Sequence, residues 1–261
     1  MAPRDKRGLK QFIKGNTGLM SIKSIFLKKI EKYLTENDVK ECLSFENIVK
    51  LFPDFADFLA SEKERISKMI EFDLSFGVEK GLIAGADEAG RGPLAGPVCG
   101  ACVRFFEYPF IPFLNDSKKM TERERKVAEK FILSSNASTA VSFVSNVEID
   151  EINILNASLK AMKTSFENLS PIPQLLLIDG NRAIKDFEKR QICVVKGDSK
   201  SFSIASASVL AKNSRDRIMI EYSKEYPEYG FDVNKGYPVK KHIDAIEKFG
   251  RSKIHRITFM K

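Results

Sequence analysis

Asp87 and Glu88 stand side by side at the end of a short apolar run, and Ala89-Gly90-Arg91-Gly92-Pro93 follows as a turn that glycines permit. Adjacent carboxylates at the end of a covered strand are costly unless something positive joins them. Two further acids share the setting. Asp179 in Ile178-Asp179-Gly180-Asn181 closes the run 175–178, and Asp198 in Lys196-Gly197-Asp198-Ser199-Lys200 follows a shorter run at 192–195. If these strand ends converge at one edge of a sheet, four carboxylates meet with no histidine among them. That donor set is all oxygen and suits Mg2+ or Mn2+, not zinc. Each acid also has a plainer reading: Asp179 as a turn former, Asp198 or Ser199 as a helix cap, Asp87-Glu88 as a surface turn. Their joint occurrence at strand ends favours a site.

Positioning such acids requires a sheet, and the chain from residue 81 supplies one. Short apolar runs at 98–103, 140–147, 175–178 and 192–195 read as strands. Helical patterns at 121–133, opened by a Thr-x-x-Glu cap, and at 149–169 and 202–222 alternate with them. The pattern predicts a mixed α/β domain, 81–261, with helices covering a central sheet. Its end is a helical segment from about 224, comprising a loop at 226–238 and a helix at 239–249. Residues 1–80 read as a basic, mostly helical extension. Residues 1 to 32 carry nine Lys or Arg against two acids, as a basic arm and then a helix over 21–34 with Ile22, Phe26, Ile30 and Tyr33 on one face. A second helix is predicted over 35–52, stopped by Pro53, and a third after Ser61, whose Ser-x-x-Glu to Glu64 reads as a capping box.

The 261 residues are 43% hydrophobic and 30% charged, an ordinary balance for a chain that folds around one sizeable core. No apolar run approaches the roughly 18 residues of a membrane span, and no leader-like apolar core opens the chain, so the expected compartment is the cytoplasm. The net charge of +8 favours a polyanionic partner. Cys42, Cys99, Cys102 and Cys193 are too scattered for a disulfide framework, and Cys99-Gly100-Ala101-Cys102, lying in a strand-like run, reads as core rather than as a zinc or redox motif. Gly90-x-Gly92-x-x-Ala95 matches a dinucleotide fingerprint only formally, because Pro93 and Pro97 bracket it and a strand follows. A P-loop is excluded, since Gly85-x4-Gly90 is followed by Arg91-Gly92 and not by Lys and Ser or Thr.

The run Asp87-Glu88-Ala89-Gly90-Arg91-Gly92-Pro93-Leu94-Ala95-Gly96-Pro97-Val98 resembles the signature of the type 2 ribonucleases H, the bacterial ribonuclease HII family. Asp116-Ser117-Lys118-Lys119, Asp179-Gly180-Asn181, 196–200, 205–212, Lys235-Gly236-Tyr237 and Ile254-His255-Arg256 look like further family blocks in the family's order, across roughly 81 to 261. The resemblance implies a ribonuclease H-like fold: a mixed central sheet flanked by helices. It implies an endonuclease that cuts the RNA strand of RNA/DNA hybrids and incises at single ribonucleotides in duplex DNA, leaving 5′-phosphate and 3′-hydroxyl ends. By the same resemblance Asp87, Glu88, Asp179 and Asp198 hold Mg2+ or Mn2+, Gly90, Arg91 and Gly92 read the ribonucleotide, and Tyr237 packs against the nucleotide on the DNA side of the junction. Asp216 is an alternative fourth acid, although an ion pair with Arg215 or Arg217 is the plainer reading. Asn213 departs from the family's usual apolar residue, and His255 has no role beyond a structural or phosphate contact.

Physical chemistry supports this assignment. Two cations held by acids can activate a water and stabilise a leaving oxygen without a histidine base. Glycines let backbone groups approach a sugar, whose 2′-hydroxyl separates RNA from DNA. Arg91 suits a phosphate, and Lys118, Lys196, Lys200 and Lys212, beside the acids in sequence, are candidate phosphate contacts. The chain is expected to act as a monomer, on nucleic acid and not at a membrane. The contrasting readings are a catalytically silent hybrid-binding protein and a sister ribonuclease H that needs several consecutive ribonucleotides.

Overall fold

Five strands, β1 (Ile83–Ala89), β2 (Val98–Phe105), β3 (Ala137–Val144), β4 (Leu175–Asp179) and β5 (Arg190–Val194), form one sheet in the order β3-β2-β1-β4-β5. The structure is a computed structural model that describes residues 21–260; most of the expected basic arm lies outside the described residues. β1 pairs antiparallel with β2 and parallel with β4, which pairs parallel with β5. Parallel pairing brings the ends of β1, β4 and β5 to one edge of the sheet, the edge from which β2 departs.

The helices are α1 (Ile22–Glu36), α2 (Phe45–Leu51), α3 (Ala56–Leu74), α4 (Glu122–Ser134), α5 (Asn146–Ile152), α6 (Ile154–Glu167), α7 (Phe202–Glu225), α8 (Phe231–Asn234) and α9 (Lys240–Phe249). α6 and α7 cover opposite faces of the sheet. Cys99, Ala101, Val103 and Phe105 join Phe202, Ala205 and Val209 of α7 in one cluster, whereas Cys102 joins Met162 and Phe166 of α6. This is the two-residue period of a strand buried on both sides. Close approach demands glycine: a Cβ on Gly85 would lie 2.3 Å from the backbone of α7, and one on Gly100 2.5 Å from that of α6. Cys99 and Cys102 are wholly buried in β2.

Side-chain capping explains most helix starts. Ser21 caps α1, Thr121 and Glu124 form the predicted capping box on α4, and Ser201 accepts from the Ile204 amide at the start of α7. Three expectations shift. The helix predicted over 35–52 breaks into a 3-10 turn, Val39–Cys42, and α2, because Asp38 and Ser44 each cap a new start. Ser61 lies inside α3 and donates to the Phe58 carbonyl at 2.7 Å, so its Ser-x-x-Glu is not a cap. The helix predicted over 149–169 starts at Asn146, which ends β3 early, and splits at Asn153, whose φ of 66° interrupts the backbone while its side chain caps α6.

The described part of the N-terminal region shares the core of the sheet's α7 side. Phe26 is fully buried, with its ring 5.3 Å from that of Phe55 and 5.5 Å from that of Phe113, in a cluster that includes Phe105, Phe131 and Phe202. Asp73 of α3 accepts from the Ser203 amide at 2.9 Å, supplying an acceptor to the first turn of α7. At the other end of the chain the residues on both sides of α9 return to the 90–97 segment. The Leu94 and Gly96 amides donate to the Gly236 and Ile254 carbonyls, and the Arg256 amide donates to the Leu94 carbonyl, each at 2.8 Å.

Candidate active site

Asp87 sits at a buried position of β1 on the α7 side, and Glu88, the next residue, faces the α6 side by strand alternation. The Asp87 carboxylate accepts from the Glu88 amide at 2.7 Å and from the Ser208 hydroxyl on α7; Ser208 lies 2.8 Å from the Ser117 hydroxyl. Asp179 closes β4 one strand away and accepts from the Gly197 amide at 2.7 Å, which ties β4 to the turn that carries Asp198. Asp198 does not end a strand as expected. β5 stops at Val194, and Asp198 lies in a 3-10 turn, Gly197–Ser199, entered through Lys196 at φ 57°.

One carboxylate oxygen from each of Asp87, Asp179 and Asp198 lies within 4.8 Å of the others. Burial, then the neighbouring Glu88 and Asp179, push the Asp87 carboxyl well above the usual range. Burial and the charges of Asp179 and Asp116 raise Asp198 to about 6. Acids that resist ionising together gain when a cation lies among them, and an all-oxygen set fits a hard divalent ion. Glu88 is outside this trio. It lines a cavity of about 290 Å³ with Asp179, Arg182, Ser158 and Leu159, and pairs with Arg91 at 3.4 Å. Burial raises its carboxyl while Arg91 pulls it down.

The lysines divide. Lys118 faces the acids: burial lowers its pKa, but Asp87, Asp198, Asp116 and Asp179 together hold it above the usual value. Lys200 donates to the Val195 carbonyl, and Lys212 pairs with Asp216 at 2.6 Å. Asp216 also lies 3.7 Å from Arg125, so its partners are Lys212 and Arg125 and not the expected Arg215 or Arg217. Asn213 occupies a polar niche, donating to the Arg125 carbonyl and to Glu129.

Gly90 is buried, whereas Arg91 and Gly92 are exposed. Gly90 has φ +100°, and a Cβ there would fall 2.1 Å from Arg215 Nε. A Cβ on Gly92 would meet only the Tyr237 ring, at an ordinary 3.5 Å. Tyr237 is 40% exposed and flanks the glycine turn. Its carbonyl is bound by His242 Nδ1 at 2.9 Å, and His242 Nε2 lies 3.1 Å from His255 Nε2. His255 Nδ1 accepts from the Ser252 amide at 2.9 Å, so the tautomers follow: His255 donates from Nε2, and His242 donates from Nδ1 to Tyr237. Sequence reasoning gave His242, Ser208 and Asp116 no role. Ser208 and Asp116 lay within the quoted family blocks, but nothing in their residue types singled them out.

The family model for ribonuclease HII matches residues 84–261. The chain belongs to the ribonuclease HII family. A ribonuclease HII of Caldanaerobacter subterraneus subsp. tengcongensis is 44% identical over 241 residues, covering 92% of this chain and 98% of that protein. A ribonuclease HII of Clostridioides difficile is 42% identical over 242 residues, with 92% and 94% covered. Both alignments are longer than 84–261, so the likeness to ribonuclease HII runs into the helices before β1. Among solved structures, ribonuclease H2 from Pyrococcus horikoshii OT3 superposes with a TM-score of 0.56 at 26% identity, over 67% of this chain and 92% of that one. The chain is an endoribonuclease of the ribonuclease H class, on a mixed sheet flanked by helices.

Proposed function

We propose that this ribonuclease HII hydrolyses the RNA strand of RNA/DNA hybrids and incises at single ribonucleotides in duplex DNA, with Asp87, Asp179 and Asp198, joined by Glu88, as ligands for Mg2+ or Mn2+. The observation that carries the metal assignment is the approach of three carboxylate oxygens to within 4.8 Å of one another. When bound, divalent cations supply activation of the attacking water and stabilisation of the leaving oxygen. The chain's own residues do the rest. The Gly197 amide and the Ser208 hydroxyl orient Asp179 and Asp87 through their hydrogen bonds. Lys118 offsets the acids' charge where a phosphate must approach.

On the substrate side, the exposed Arg91 and Gly92 present backbone to the ribose, and the Arg91 guanidinium suits a phosphate. Tyr237, beside Gly92, offers a ring to the neighbouring deoxynucleotide. Lys196, Lys200 and Lys212 would contribute through the wider basic surface, Lys212 only on leaving Asp216. We place the enzyme in the cytoplasm as a monomer, in DNA repair and replication; no described helix is long and apolar enough to cross a membrane.

The test is cleavage of a duplex with one ribonucleotide and of another with four, with Mg2+, with Mn2+ and with chelator, for the wild type and Asp179→Asn. Metal-dependent cutting of both substrates, lost in the variant, is expected. Binding without product in every condition would favour the silent binder, and cutting of only the four-ribonucleotide duplex would favour the sister enzyme.

A further inference from the structure

Two buried arginines lie behind the glycine turn, and their hydrogen-bond partners are backbone carbonyls. Arg215 of α7 is 1% exposed and Arg256 is fully buried. Arg215 donates from Nε to Pro97 at 2.9 Å, from Nη1 to Lys235 at 2.9 Å and from Nη2 to Ala95 at 3.0 Å. Arg256 donates from Nε to Gly96 at 2.9 Å, from Nη1 to Arg91 at 3.2 Å, and from Nη2 to Gly90 at 2.7 Å and Pro97 at 3.2 Å. No carboxylate oxygen is among the partners that the described residues give them. An unpaired buried guanidinium costs several kcal/mol, so the converging carbonyl dipoles are what makes the pair tolerable. Only Arg has the planar five-donor fork that can reach so many acceptors at once.

The consequence lies on the other side of each peptide. In a trans peptide the carbonyl of one residue and the amide of the next point in opposite directions. With the Gly90 and Arg91 carbonyls drawn inward to Arg256, the Arg91 and Gly92 amides are turned outward. Neither amide has a backbone partner among the described residues, and both residues are exposed. Arg215 fixes the return of the segment at Ala95 and Pro97, and through Lys235 it holds the turn that leads into Tyr237. Gly90 is glycine because Arg215 occupies the space a Cβ would need.

We propose that Arg215 and Arg256 are positioning residues for ribonucleotide recognition, which hold the 90–97 segment by its carbonyls so that the Arg91 and Gly92 amides stand ready as donors to the oxygen of a 2′-hydroxyl or an adjoining phosphate. This rests on the reading of Gly90-Arg91-Gly92 as the ribonucleotide-facing turn. Arginine capture sets the donors before substrate arrives, which removes an ordering cost from binding. A site built to bond a hydroxyl in this way rejects the analogue that lacks it, since its donors are then left unpaired.

The experiment compares wild type, Arg256→Lys and Arg215→Lys, which keep the charge and lose the fork. Affinities are measured in Ca2+ for a duplex with one ribonucleotide and for the same duplex in DNA alone, beside circular dichroism, thermal melting and Mn2+ titration of each protein. The proposal expects the preference for the ribonucleotide to fall about tenfold or more in Arg256→Lys, with affinity for the DNA duplex changed less than about twofold and Mn2+ binding retained. An unchanged preference, or loss of affinity for both duplexes in step with lost thermal stability, overturns it. A wild type that shows no preference in Ca2+ and does not cut the one-ribonucleotide duplex when supplied with Mn2+ refutes the ribonucleotide-facing reading itself. If neither variant folds, the wild type decides: free-state order parameters of the Arg91 and Gly92 amides should be near about 0.85, and values below about 0.6 overturn the proposal.

Discussion

Alanine at Gly90 and alanine at Gly92 should have opposite consequences, although only one residue separates them. At Gly90 the backbone has φ +100°, and a new Cβ would lie 2.1 Å from Arg215 Nε, 2.4 Å from Arg215 Cδ and 3.0 Å from the Pro97 carbonyl. Holding a non-glycine residue in a sparsely populated conformation costs about 1–3 kcal/mol. Forcing atoms into a filled interior costs about 1–3 kcal/mol more, giving roughly 2 to 6 kcal/mol in total. For a chain of this size that lowers the melting temperature by at least about 4 °C. At Gly92 there is no positive φ, and the added Cβ meets only the Tyr237 ring at 3.5 Å, so stability should change by less than about 0.5 kcal/mol. The methyl group instead stands in front of the turn, where displacing a sugar by a fraction of an ångström weakens productive binding by about tenfold. Urea denaturation and steady-state cleavage of a one-ribonucleotide duplex, run on both variants, separate the two effects. If Gly92→Ala loses as much stability as Gly90→Ala, or if Gly90→Ala melts with the wild type, the inward and outward assignment of the two glycines is wrong.

Other expectations concern the acids and the N-terminal helices. Asp198→Asn should weaken Mn2+ binding by calorimetry more than the roughly tenfold typical of an outer-shell loss, whereas Asp216→Asn, which removes an acid already paired with Lys212 and Arg125, should stay within about twofold. Burial raises Asp73 to about 6, so its protonated form favours the fold, and its contribution to stability falls as pH rises from about 4 to about 6. His255, pushed down to about 4 by burial and by His242, works the other way, contributing stability above about 6.5 that is lost as pH falls towards 4. Asp73→Asn should therefore make stability climb more steeply with pH over 4 to 6, by about 2–3 kcal/mol across the window, and parallel urea curves for variant and wild type would exclude this. Phe26→Ala, which empties a fully buried ring site among Phe55, Phe58 and Phe113, should cost about 3–5 kcal/mol in the same denaturation assay.

The meeting of three of the acids was legible because strand ends have a local signature: an apolar run, an acid, then a turn former. Asp179 follows it directly, Asp87 lies two residues before the end of β1, and Asp198 comes four residues after β5 ends, because a 3-10 turn carries it. Glu88 shows the limit of adjacency. Strand alternation sends it to the α6 side, into the cavity and out of the trio. Ser61 misled because Ser-x-x-Glu describes a helix start only where the backbone before it is extended, and here α3 had already begun at Ala56. The roles of Arg215 and Arg256 were hidden for a different reason. Long charged side chains are ordinarily solvated, and all but one of the carbonyls that bond these two come from residues about 120 and 160 positions away.

The bond between Asp73 and the Ser203 amide joins residues 130 positions apart, and the phenylalanines of α1 and α3 pack against partners that also come later in the chain. During synthesis at about 5–20 residues per second, the early helices therefore wait on the order of ten seconds before α7 exists to receive them. These helices leave the ribosome before α7 does and finish folding only after it, and over that interval Phe26 and its neighbours lack the later residues that bury them. Proteolysis of ribosome-arrested chains of increasing length reads this order directly: α1 to α3 should become resistant only once α7 has emerged.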